Sequence, residues 1–149
     1  MESRNTPAPF RFEFDSTNRI LRAAFWDVVT DEDVTSFYRM LAEHSVALDP
    51  LAGILDLSDV TSFEVTVHTI RDLAWSEPAM PHPNRPRFIV ANSSHIFGMA
   101  RMFEFEGEST RPNLHVVRSP REVWAILGIN EPQFEPLPAI LDSNRDFSA

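Results

Sequence analysis

The chain has 149 residues, a length that suits one domain able to bury its apolar surface without covalent staples. It contains no cysteine and its 13 basic residues are all arginine, which excludes disulfides, thiolate metal sites, Walker-type phosphate loops and lysine Schiff-base chemistry. A net charge of −9 repels phosphate backbones and anionic leaflets, so nucleic-acid binding is not expected.

Residues 1–9 are polar and Pro-containing and are expected to form a loose lead. Phe10, Phe12 and Phe14 alternate with Arg11 and Glu13, the period of a strand with one buried face. Asp15–Asn18 reads as a turn and Ile20–Trp26 as the returning strand. Thr30 followed by Asp31, Glu32 and Asp33 starts a helix, because the hydroxyl caps it and the carboxylates suit the positive end of its dipole. Val34, Phe37, Tyr38 and Leu41 then supply one apolar face. Asp49-Pro50 stops that helix, and Ala52–Leu57 is a buried strand ending in a polar Asp56-Leu-Ser-Asp59 turn.

A helix is expected over about Glu64–Ser76, burying Thr66, Ile70, Leu73 and Ala74. The Pro-rich loop 78–86 leads to a strand at Arg87–Ala91. Asn92–Ser94 caps a helix to Glu106, and a strand follows at Leu114–Val117. Ser119-Pro120-Arg-Glu122 opens a last helix that buries Val123, Ile126 and Leu127 and stops at Gly128. Residues 131–149 carry Pro132, Pro136 and Pro138 and read as a tail, in which Leu137, Ile140, Leu141 and Phe147 are available to dock on the domain or on a partner. The order is β-β-α-β-α-β-α-β-α over residues 10–130. It implies one α/β domain with an N-terminal hairpin, a mixed and mostly parallel sheet of about five strands, and about four helices. No apolar run approaches about 18 residues, and Met1–Pro7 has no signal-peptide core, so no membrane insertion and a cytoplasmic location are expected.

The stretch Gly53–Ala74 carries the most specific text: an apolar strand, Leu55-Asp-Leu-Ser58, and a helix beginning eight residues after Asp56. It resembles the central strand, loop and helix of STAS domains, the family of anti-sigma-factor antagonists and SpoIIAA-like proteins. Their text runs roughly Leu-Asp-Leu-Ser and then Asp-Ser-Ser-Gly into a helix. The resemblance covers most of the chain in element order and residues 53–74 in specific text. It implies a STAS/SpoIIAA-like fold and a bacterial regulatory or binding domain with no catalytic residue, cofactor or metal. It also implies a partner protein. In the family a serine at the helix start is phosphorylated and the added charge repels a kinase. Here the motif falls on Glu64-Val65-Thr66-Val67, whose acceptor position, Val65, has no hydroxyl. Some relatives are discussed alongside the Sec14 lipid-binding fold, which implies a small apolar ligand.

Two candidate sites follow. One is the loop expected beyond the central strand, with Ser58, Thr61, Glu64 and Thr66, since ligands and switches of open α/β sheets sit beyond the carboxyl ends of strands. The competing role for its hydroxyls is turn and cap formation. The other is a second apolar strip on the 94–106 helix, made by Phe97, Arg101, Met102 and Phe105, with Gly98 thinning the helix for a ligand or a second copy. Its alternative is burial under the Pro-rich loop or the tail. His44, His68, His82 and His115 show no metal-ligand spacing. The expectation is a non-catalytic domain binding a protein partner or a small apolar ligand. A self-associating homodimer and a small hydrolase or isomerase using His95, Ser93 or Asp56 are the alternatives.

Overall fold

The computed structural model describes residues 8–138. Strands β1 (Phe10–Asp15) and β2 (Ile20–Thr30) form an antiparallel hairpin, and β3 (Ala52–Glu64), β4 (Arg87–Val90) and β5 (Leu114–Val117) add in parallel. Between and after them lie α1 (Asp31–Leu48), α2 (Val67–Trp75), α3 (Ser94–Glu106) and α4 (Pro120–Leu127). The domain is α/β with a mixed sheet. A sixth strand, β6 (Glu135–Pro136), pairs with β1 inside the segment read as a tail. Spatial order is β5-β4-β3-β2-β1-β6.

That order places the helices. From β2 to β5 each parallel strand steps the same way, so three right-handed crossovers put α1, α2 and α3 on one face. Strand alternation supplies both layers. Leu21, Ala23 and Phe25 of β2 meet Phe37, Ile70, Ile96 and Ala100 of the helices in the larger core. Ile20, Ala52, Ile54, Phe88 and Val90 point to the opposite face, where Val123 of α4 and the half-buried Phe134 cover them. Of the tail residues, Leu137 docks on the larger core and its N–H donates to the Phe12 carbonyl, whereas Ile140, Leu141 and Phe147 lie outside the described residues.

Cap chemistry fixes the helix starts. Thr30 and Asp33 form a reciprocal capping box on α1, and at the start of α4 the Glu122 carboxylate accepts from the Ser119 N–H and hydroxyl. Two strands run past their expected ends, β2 to Thr30 instead of Trp26 and β3 to Glu64 instead of Leu57. Glu64 ends β3 instead of opening α2, whose cap is Thr66, and a cap residue stands at the surface, so Thr66 is exposed where burial was expected. Ile126 is also exposed, because the sheet takes only the face of α4 that carries Val123.

Phe25, 2 % exposed, packs between Phe10 (tilted) and Phe37 (edge to face) with ring centroids 5.0 and 5.1 Å away. Phe25→Ala is expected to lose about 3–5 kcal/mol in urea unfolding. His44 is buried against the Phe12 ring, 4.4 Å between centroids. Burial pulls its pKa below the ordinary 6.5, with Glu43 opposing. The unfolded chain therefore takes up a proton that the folded chain refuses. His44's contribution is whole above pH 6.5 and is lost as the pH falls through and below that value. Urea midpoints at about pH 7 and about pH 5 are expected to differ less in His44→Gln than in the wild type, and an equal difference would sink the assignment.

Candidate ligand cavity and the expected switch loop

The expected loop after the central strand is a strand. Alternating residues from Leu57 to Glu64 continue β3, paired in parallel with Trp26–Thr30 of β2 beyond the point where β1 and β4 stop. The result is a two-stranded ribbon with bulges flanking Asp27, whose φ of 59° is in the left-handed region. The polar turn read at Asp56–Asp59 fails because Asp56 Oδ1 accepts from both the Ser58 N–H (3.0 Å) and its hydroxyl (2.6 Å) without bending the chain out of the sheet. Thr61 is exposed on the ribbon, and Glu64 accepts from the Ser62 hydroxyl.

Thr66 has a structural position. Its hydroxyl oxygen accepts from the Thr69 N–H, and its own N–H and O–H donate to the Asp31 carboxylate at 2.8 and 3.1 Å. Val65, where the resemblance to STAS domains would place an acceptor, is buried in the larger core. Ser58, Thr61, Glu64 and Thr66 therefore lie along a ribbon and a cap and do not converge on one loop.

The second strip divides. Phe97 and Met102 pack half-buried on the larger core, and the Arg118 guanidinium covers the Phe97 ring at 3.9 Å. Arg101 is exposed and pairs with Glu104, while Phe105 is 71 % exposed. Open space surrounds Gly98. Ser93 caps α3, Asp56 is engaged by Ser58, and exposed His95 stands at the edge of Phe63. No hydrogen bond among the described residues joins the three, and no cluster of metal-ligating side chains occurs among them.

The feature that does converge lies beneath the helices. A cavity of about 140 Å³ separates the sheet from α1, α2 and α3. At the carboxyl ends of the strands Val29, Leu57 and Phe63 wall it, with the ribbon closing that end. At the amino ends Gly53 and Leu114 line it, and Ala79 and Met80 of the Pro-rich loop close over them. A Cβ on Gly53 would lie 2.5 Å from Met80 Sδ, so the bare glycine is what seats this methionine.

Three lining residues are polar: Tyr38, Arg87 and Arg111. Arg111, 5 % exposed, donates to the carbonyls of Leu73 (3.0 Å) and Ala74 (2.8 Å) in the last turn of α2, and to the Tyr38 hydroxyl oxygen at 2.8 Å. Tyr38 in turn donates to the Glu77 carbonyl. Arg87 donates through Nη2 alone, to Met80 and Pro81 carbonyls at 2.7 and 3.1 Å, and its buried Nε has no acceptor. Burial, and after it the neighbouring Arg111 charge, pull the Arg87 guanidinium below the ordinary arginine pKa. These two arginines escaped the sequence reading. The available signal was Arg87 at the head of the apolar run Phe88-Ile-Val-Ala91, since a charge inside a strand covered on both faces needs a reason.

No protein-family model, curated protein or solved structure matches the chain.

Asp49 holds the closure of the cavity. It caps α1 in the left-handed conformation (φ 48°) and accepts from Arg85 (2.7 Å) in the Pro-rich loop and from Arg19 (3.1 Å) in the hairpin turn. The hydrogen bond from Arg85 keeps its carboxyl below the usual range. Asn tolerates the same backbone, so Asp49→Asn removes the charge alone. It is expected to speed proteolytic cleavage within 78–86 and to leave α1 intact by circular dichroism; an unchanged cleavage rate would mean the loop is held elsewhere.

Proposed function

We propose that this chain is a non-catalytic STAS/SpoIIAA-like binding or regulatory domain whose occupant is a small apolar ligand held between the sheet and α1–α3. The observation that carries this reading is the cavity, walled by leucine, isoleucine, valine and phenylalanine in an otherwise packed core. Its volume is close to that of engineered apolar cavities of about 150 Å³ that stay dry and take up benzene. The hairpin-first element order supports the family reading. A buried Val65 and an engaged Thr66 hydroxyl speak against carrying over the phospho-switch. The family reading also brings a cytoplasmic location; no helix among the described residues is long and apolar enough to cross a membrane.

Titration with 1-hexanol, followed by two-dimensional NMR, is expected to move the resonances of Leu57, Ile70 and Ala100 ahead of surface residues. Ala100→Leu places extra carbons in the cavity and is expected to abolish those shifts. Hexanol shifts confined to the surface, or persisting undiminished in a folded Ala100→Leu, would overturn the ligand reading.

One observation favours self-association as a second reading. Trp75 (65 % exposed) and Phe105 stand outward on the adjacent helices α2 and α3, where the Trp75 indole N–H donates to Glu106. Light scattering that returns the 17.0 kDa monomer mass would eliminate it.

A further inference from the structure

Both buried arginines reach the same end of the cavity, and neither has a carboxylate partner among the described residues. This is notable in a chain with 22 acidic residues against 13 basic ones. Several arginines nearer the surface do find carboxylates: Arg19 and the half-buried Arg85 share Asp49, and Arg101 takes Glu104. Among the described residues Arg39, Arg118 and Arg121 also pair with no carboxylate, but they are exposed to water; Arg87 and Arg111 are the unpaired arginines that are buried, where an unmatched charge is least favourable.

Their donors are unequally used. Arg111 is committed to main-chain carbonyls and to Tyr38, which makes it a strap on α2 as well as a charge. Arg87 makes two bonds from one nitrogen and keeps a buried Nε–H with nothing to receive it. Arg87 lines the cavity beside a second cation, and because Nε itself is enclosed by protein, an anion in the cavity meets that unused N–H through a turn of the Arg87 side chain. The planar guanidinium fork matches a carboxylate.

The rest of the wall is apolar, from Ile70 and Ala100 under the helices to Phe63 at the far end. Anything that satisfies Arg87 from within must therefore be amphipathic, with its charge at the amino ends of β4 and β5 and its carbon body toward the ribbon. The volume of about 140 Å³ limits that body to roughly the six carbons of a benzene-sized guest. A long acyl chain is too large.

We propose that the cavity binds a small apolar carboxylate, a short-chain aliphatic or simple aromatic acid, with its carboxylate on Arg87 beside Arg111 and its hydrocarbon among Leu57, Phe63, Ile70 and Ala100. This rests on the apolar-ligand reading above and adds the charge of the ligand and its orientation. Met80 and Pro81, whose carbonyls hold Arg87, belong to the loop that Asp49 pins, so entry of the acid is coupled to that loop.

The test compares hexanoate, hexanamide and 1-hexanol on the full chain at pH 7 by calorimetry and two-dimensional NMR. Hexanoate is expected to bind at least about tenfold more tightly than either neutral analogue, the scale of one charge-assisted hydrogen bond. Arg87→Met is expected to abolish that preference while leaving hexanol binding in place. Arg87→Lys, which keeps the charge and loses the fork, is expected to restore part of it. Equal affinities for the three probes in the wild type would overturn the carboxylate assignment and leave the apolar-ligand reading standing. Binding of none of them would overturn both. The wild-type ratio decides the assignment even if Arg87→Met fails to fold.

Discussion

Carrying an arginine into an apolar interior leaves a fork of N–H donors to be satisfied away from water, and Arg111 meets that demand where the fold has carbonyls to spare. The last turn of an α-helix has C=O groups with acceptor capacity to spare, and those of Ala74 and of Leu73, which also takes the Ser76 N–H, receive the guanidinium at the end of α2. The same group lies over the Phe103 ring of α3, 4.9 Å from its centroid, and reaches Tyr38 of α1. One side chain thus ties the three helices together at the amino end of the sheet. Its own position is set by the turn after α3, where the Arg111 N–H donates to the Gly107 carbonyl at 2.9 Å.

The cavity follows from how those helices are roofed. A uniform strand order sends every crossover to one face, so three helices share a single layer and the opposite face is left to α4 and the segment leading to β6. The ribbon from β2 and β3 shuts the space at one end, and the Pro-rich loop shuts it at the other through Met80, seated on Gly53. The loop is held by exposed ion pairs at Asp49, interactions that are weak singly and screened by salt. The weakest part of the enclosure is thus beside its charged end.

The placement of function shifts accordingly. A phospho-switch would sit at the carboxyl end of β3, yet that end is continuous strand, its acceptor position is a core valine and its nearest hydroxyl is a helix cap. A buried donor without an acceptor stands at the amino end, on Arg87. The chain is acidic overall, whereas its cavity is lined by two cations.

The sequence by itself determined the local elements. The period of Phe10–Phe14, the Thr30 and Ser119 caps and the Pro and Gly stops act through neighbours a few residues away, and α3 and β5 fall at the residues those signals mark. It determined less about where β3 ends. A strand's length depends on its partner, and only the pairing with β2 turned Ser58–Glu64 from loop into ribbon. The tertiary structure alone decided that Phe97 and Met102 face the core while Phe105 does not, since a helix with two apolar strips does not state which one the sheet takes. It alone brought Tyr38, Arg87 and Arg111 together. They sit on α1, β4 and the turn before β5, and their common environment arises from crossover handedness and helix packing, which no local pattern in the chain encodes.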